Sequence, residues 1–340
     1  MKLDAFDYDL PEDRIAQHPA KRRDMSRLLV LDKQTGAWED KIFSDVLDYF
    51  RCGDVLVLNE TKVIPARLFG TRSTGGKVEI FLLRRQRDDV WAVLARPGNR
   101  VRVGDTIAFS VPDFTCTVLA ATENGGRIVE FHYQGIWEEC LDAVGTMPLP
   151  PYIHDYDGDM ERYQTVYAKI PGSVAAPTAG LHFTPELLKK AEEKGVKIAK
   201  VNLSVGLGTF RPVEAENIED HKMHEEYYEI DGLAAATINE ARAYGGRIIT
   251  VGTTSTRVLE TVAAANGYVK EERGWTNAYI YPGYRYKVVD GLITNFHLPK
   301  SSLLMLVSAL AGREHMLAAY EHAVETEYRF FSFGDAMLII

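Results

Sequence analysis

The chain has 340 residues, with 39 Lys and Arg against 48 Asp and Glu, for a formal net charge of −9. At about 100–200 residues per domain, this length predicts roughly two domains. A hydrophobic fraction of 46% beside 26% charged residues can bury two cores and excludes extensive disorder. The opening MKLDAFDYDL lacks the basic-then-apolar order of a signal peptide. The longest apolar run, from Leu303 to Ala311, falls short of the ~18 residues a membrane helix needs. A cytoplasmic chain with no membrane contact is the expectation. Cys52, Cys116 and Cys140 stand far apart and outside CxxC spacing. They predict buried thiols, with neither a disulfide framework nor a thiolate metal site.

The average charge hides a contrast. Between Lys62 and Arg102 ten basic residues face only Glu79, Asp88 and Asp89, giving +7; the remainder, with 29 basic and 45 acidic residues, carries −16. Such a contrast points to an anionic partner for one part of the chain, though a solvated β surface has the same composition. Here the periodicity also changes. The runs LFGTR, KVEIFLLRR, VWAVLAR, TIAFSV, FTCTVLAAT and RIVEFHYQG are separated by turns such as Thr74-Gly75-Gly76, Pro97-Gly98-Asn99 and Asn124-Gly125-Gly126. Closely spaced strands of this kind predict a small antiparallel β-barrel. A helix near 137–144 and the stiff connector Met147-Pro148-Leu149-Pro150-Pro151 close it. The reading is therefore an α/β fold, in which a layered α/β catalytic domain of 1–68 and 151–340 carries an inserted barrel domain at 69–150.

The remaining residues alternate helix and strand, as a layered α/β domain requires. Thr184-Pro185-Glu186 opens a helix with Thr as N-cap, and Gly195 ends it. VKIAKVNLSV reads as a strand, Thr237–Tyr244 as a helix, Arg247–Val251 as a strand and Thr256–Ala265 as a helix. AYIYPG and a hairpin at Asp290-Gly291 add strands, and Ser301–Ala311 and Glu314–Thr326 read as helices.

Several polar clusters could carry chemistry. Gly252-Thr253-Thr254-Ser255-Thr256 joins an apolar strand to a helix, where backbone amides and small hydroxyls suit an anion. A plain hydroxyl cap would look the same. Ser204-Val205-Gly206-Leu207-Gly208-Thr209-Phe210 has a GxG but no third glycine opening a helix, so it fails as a dinucleotide fingerprint. His221 and His224 lie at i, i+3 beside Glu225 and Glu226, the pattern of an acid/base pair; further metal-ligand spacing is missing. His182 follows the small-residue run AAPTAGL, and Thr294–Ser302 crowds an amide, an imidazole, an ammonium and hydroxyls before a helix. Several such clusters next to helix starts make a shared cleft more plausible than any one does.

These segments resemble, in order and over essentially the whole chain, the S-adenosylmethionine:tRNA ribosyltransferase-isomerase family of queuosine biosynthesis. The resemblance is carried by LNETKVIPARL at 58–68, PLPPYI at 148–153, RYQTVY at 162–167, AAPTAGLHFT at 175–184 and GLGTFRPV at 206–213. It continues in HKMHEE at 221–226, VGTTSTRVLE at 251–260, TNFHLPKSSL at 294–303 and YRFFSFGDAML at 328–338. It implies an α/β domain with an inserted β-barrel. It also implies transfer and isomerisation of the ribosyl part of S-adenosylmethionine onto 7-aminomethyl-7-deazaguanine at the tRNA wobble position. The product is epoxyqueuosine in tRNA, with adenine and methionine released; S-adenosylmethionine is a co-substrate and no prosthetic group is needed.

Within the matching segments, proton transfers would fall to His182, His221, His224 and Glu225. Candidate substrate contacts are Arg67, Thr178, Gly180, Gly206, Gly208, Thr209, Arg211, Thr253, Thr254, Ser255, Arg257, Asn295, His297, Lys300 and Ser301. Candidate tRNA contacts are Lys77, Arg84, Arg85, Arg100 and Arg102. No metal is expected, and the chain is expected to act as a monomer. Ser204 stands where the family commonly has histidine, which implies that this position supports the site without moving a proton. The competing readings are a non-catalytic tRNA-binding or translation-associated protein, which would not depend on S-adenosylmethionine, and an ordinary α/β hydrolase or methyltransferase.

Overall fold

The computed structural model describes residues 1–122, 125–206 and 213–340. Internal contacts divide the chain into one unit of Met1–Lys62, Pro150–Ile170 and Ala176–Ile340, and another of Val63–Leu149 with Pro171–Ala175. Among the described residues there are six α-helices. They are α1 (Trp137–Val144) in the second unit, and α2 (Pro185–Glu193), α3 (Gly232–Ala243), α4 (Gly252–Val262), α5 (Ser302–Ala311) and α6 (Arg313–Glu325) in the first.

The first unit is built on a nine-stranded mixed sheet. Its order is Glu272–Thr276, Glu226–Ile230, Lys197–Leu203, Val55–Asn59, Ile248–Val251, Gly291–Asn295, Ala336–Ile339, Arg27–Leu31 and Trp38–Ile42. The four strands from Lys197–Leu203 to Gly291–Asn295 are mutually parallel. The inner three of the apolar runs, VLVLN, IITV and GLITN, are buried throughout, as expected for parallel strands covered on both faces. The edge strand Trp38–Ile42 (WEDKI) is polar and largely exposed. Alternate residues of Arg27–Leu31 feed two cores. Leu29 and Leu31 join Phe296, Tyr320 and Phe330 under α5 and α6. Leu28 and Val30 join Phe43, Leu56, Phe183 and Leu187 on the opposite face.

The second unit is a closed antiparallel barrel of six strands. Arg67–Arg72, Lys77–Arg87, Val90–Arg96, Arg127–His132, Thr115–Ala121 and Thr106–Ala108 pair in that order, and the last returns to the first. Inward positions alternate along each strand, with Val78, Ile80 and Leu82 on one and Cys116 and Val118 on another. Closure leaves no long unpaired edge.

The structure differs from the sequence reading at several points. Helix α3 starts at Gly232, not Thr237, because Asp231 caps it by accepting from Ala234 N at 2.7 Å. Helix α4 starts at Gly252, directly after the strand, not at Thr256. The 278–283 segment forms no strand. Asp290-Gly291 is no hairpin: Asp290 accepts from Ile248 N at 2.8 Å, and the strand that follows runs parallel to Ile248–Val251. Of the thiols, Cys116 and Cys140 are buried but Cys52 is exposed. Asn124 of one turn lies outside the described residues.

Candidate functional site

The four parallel strands end along one edge of the sheet, at Asn59, Leu203, Val251 and Asn295. Open α/β sheets bind ligands beyond such carboxyl ends. At Val251 the chain turns straight into α4 through Gly252, whose φ of +86° lies in the left-handed region that favours glycine. No side chain caps the first turn of α4. Ser255 and Thr256 spend their hydroxyls within the protein, on Val251 O at 2.9 Å and on the Thr250 hydroxyl at 2.7 Å. The Thr254 hydroxyl is buried with no hydrogen-bond partner.

One turn further on, Arg257 is 4% exposed. Its Nε donates to Ala278 O at 3.0 Å and its Nη1 ion-pairs with Glu226, while Nη2 is buried without a partner. Residues three apart share a helix face, so α4 holds an unpaired hydroxyl and an unpaired guanidinium nitrogen, both buried, one turn apart.

Glu226 is the buried carboxylate of this cluster, at 2% exposure. Burial alone would raise its pKa. Arg257 outweighs that, helped by His224 and the Gly206 amide at 3.1 Å, and holds it down to about 2. His224 Nε2 lies 3.3 Å from Glu226 Oε1. His221 packs edge-on to Tyr279 at 5.2 Å, and burial followed by the nearby His224 lowers its pKa. Glu225, the carboxylate singled out from sequence, is exposed. The period-2 burial of Glu226, Tyr228 and Ile230 puts the next residue inside instead.

His182 sits at the end of the 3-10 turn Thr178–His182, buried against Phe43 with ring centroids 5.0 Å apart. Its hydrogen bonds fix its tautomer. Asn295 must turn Nδ2 toward the Phe331 carbonyl (3.1 Å), and the other amide proton then reaches His182 Nε2 at 3.1 Å. The ring proton is therefore on Nδ1, which donates to Ser26 Oγ at 2.7 Å. Asn295 Oδ1 accepts from the Thr178 hydroxyl at 3.2 Å. Burial, then Arg329 and Arg23, push His182 down to about 3. It is a neutral ring with both nitrogens engaged, placed to hold Asn295 and Thr178. Phe331 has φ +73°, rare for a bulky residue, and its N–H donates to Phe296 O at 3.1 Å. Gly180 lies against Tyr167, where any Cβ would overlap the phenol oxygen.

Other sequence candidates are placed elsewhere or are already engaged. His297 is buried, with its pKa pushed down to about 3, and bonds Thr294 at 3.1 Å. Lys300 pairs with Asp4 and Asp7, both at 2.9 Å, and Ser301 caps α5 by accepting from Leu304 N at 3.2 Å. Thr253 is half-buried on the first turn of α4. Arg67 belongs to the barrel, where it bonds Glu79 at 2.8 Å. Arg85 donates to Asp88 O, while Lys77, Arg84, Arg100 and Arg102 are exposed on the barrel. Gly208, Thr209 and Arg211 lie outside the described residues. Sequence reasoning chose Glu225 over Glu226, which burial alternation marks, and missed Ser26, which no local pattern marks, 156 positions from its partner. Among the described residues no group of His, Cys, Asp and Glu could hold a metal ion, and no helix is long and apolar enough to cross a membrane.

The fold and site define a class: an α/β protein with an inserted closed barrel and a polar cluster at the carboxyl ends of its parallel strands. The model of the family described as queuosine biosynthesis protein matches residues 3–339, and the chain belongs to that family. It is also similar to the crystal structure of an S-adenosylmethionine tRNA ribosyltransferase from Thermotoga maritima. That match has 39% identity, covers 99% of this chain and 100% of the other, and has a TM-score of 0.57.

Proposed function

We propose that this chain transfers and isomerises the ribosyl part of S-adenosylmethionine onto 7-aminomethyl-7-deazaguanine at the wobble position of tRNA, releasing adenine and methionine and leaving epoxyqueuosine. The observation that carries this reading is the match, along nearly the entire chain, to the queuosine biosynthesis family and to a ribosyltransferase of 39% identity.

Groups of the cluster suit two parts of the co-substrate, the methionine carboxylate and the ribose C5′ protons. The unpaired Arg257 Nη2, the Thr254 hydroxyl and the uncapped amides of α4 would take the methionine carboxylate. The sulfonium acidifies the ribose C5′ protons, so a neutral imidazole can remove one. His221, whose pKa is lowered by burial and then by His224, is the acceptor we assign, with His224 lying 3.3 Å from Glu226 beside it. The aminomethyl nitrogen then attacks the sugar as a neutral amine, adenine leaves with one of the two protons given up by C5′ and the nitrogen, the other passes to solvent, and a sugar oxygen displaces neutral methionine to close the epoxide. His182, with both nitrogens engaged, is a positioning residue acting through Asn295 and Thr178. In this reading residues 1–68 and 151–340 form the catalytic domain and 69–150 a tRNA-binding one. The protein acts in the cytoplasm as a monomer without a prosthetic group.

The test is incubation with tRNA bearing the aminomethyl base and S-adenosylmethionine labelled in the ribose or in the methyl group. Ribose label in tRNA with free adenine is the expected result. Methyl label in tRNA, or tRNA binding without adenine release, would overturn it.

A further inference from the structure

We infer that the outer face of the barrel around Phe69 is a stacking platform for an unpaired RNA base. The inference rests on the tRNA reading and names where an unpaired part of that substrate would lie. On the strand Arg67–Arg72, Leu68 and Gly70 are buried while Phe69 is 55% exposed. Across the sheet Glu79 is opposite Phe69, Lys77 is opposite Thr71, and Arg96 is opposite Glu79. Phe69 lines an open groove of about 380 Å³ with Thr71, Lys77, Glu79 and Arg96.

A lone exposed phenyl on a protein surface needs no explanation. This one is surrounded by cations. The Arg67 guanidinium lies 5.7 Å from its ring centroid and is oriented by Glu79 at 2.8 Å. Glu79, the carboxylate of the patch, is thus already ion-paired, and among the described residues neither Lys77 nor Arg96 forms an ion pair. A flat apolar ring flanked by two uncommitted cations matches a nucleotide, whose base offers a π-face and whose phosphates offer negative charge. A paired base keeps its faces inside the helix, so an unpaired one is required.

The experiment measures fluorescence anisotropy with the intact protein and two labelled RNAs, an anticodon stem-loop and a duplex of the same stem without the loop. Phe69→Ala is expected to weaken binding of the stem-loop about 5- to 100-fold, to leave duplex binding unchanged, and to keep the thermal midpoint. Phe69→Trp retains affinity. Lys77→Gln with Arg96→Gln lowers the slope of log affinity against log salt by about 1.4. Wild-type affinity in Phe69→Ala, or equal loss on both RNAs, overturns the platform alone, provided the wild type still transfers ribose label to tRNA. A wild type that binds neither RNA overturns the tRNA reading with it.

Discussion

His182 and His297 lie in the core, and burial pushes both down to about 3. An exposed histidine in the unfolded chain takes its proton near pH 6.5. Between those values the unfolded state binds protons that the folded state refuses, so their contribution to stability is complete above about pH 6.5 and falls as pH drops toward 3. Each steepens the loss by up to about 1.4 kcal/mol per pH unit. Urea unfolding at a series of pH values from neutral down to pH 5 checks this; an unfolding free energy that stays flat over that range refutes it. Thr254 separates ligand binding from folding. Its hydroxyl has no protein partner, so Thr254→Val should leave the melting temperature in place while raising KM for S-adenosylmethionine about 5- to 20-fold, the effect of one lost hydrogen bond. An unchanged KM removes this hydroxyl from the site. At this scale the sequence was legible by type but less so by position. Two histidines beside carboxylates marked the cluster, yet it is Glu226, not Glu225, that pairs with Arg257, because strand alternation selects the buried side. Ser26 was invisible because its partner His182 meets it only after the chain has folded.

Helix α4 shows how an element can be read correctly in kind and misplaced at its start. GTTST has the composition of a loop, but Gly252 reaches φ +86° and lets the helix begin at once. The amides of its first turn thus stand at the sheet edge. Gly252→Ala forces a Cβ into the left-handed region, where about 1–2 kcal/mol of stability is lost. It should also lower kcat/KM by more than Thr254→Val does, since every amide of that turn is re-aimed. Denaturant midpoints and steady-state kinetics measured on both variants check this; Gly252→Ala with wild-type kinetics would detach the turn from the site. The barrel strands were legible because alternation and turn residues are local signals. The tyrosine-rich 278–283 segment misled by composition alone: β-propensity favoured a strand, while Ala278 O instead accepts from Arg257 Nε.

At the scale of the molecule, net charge was a poor guide and its distribution a good one. The +7 of residues 62–102 falls largely on the barrel, while the −9 of the whole would argue against any nucleic acid. The layered class was also legible from alternating helices and strands, but strand order was not, because pairing joins residues far apart in the chain. Ala336–Ile339 lies in the interior of the sheet, between Gly291–Asn295 and Arg27–Leu31, and Leu28 pairs with Ala336. On the ribosome, therefore, the Arg27–Leu31 and Trp38–Ile42 strands wait until Ala336–Ile339, far later in the chain, is made and ties them to the rest. Pairing of this range is slow and leaves apolar edges open meanwhile. Deleting residues 336–340 should give a chain that aggregates and lacks a cooperative unfolding transition, with the sheet parted in two. A soluble, cooperative truncation would refute this. A chain cut short of Ala336 thus cannot join the two parts of its sheet, which makes synthesis of this one strand a checkpoint for its folding.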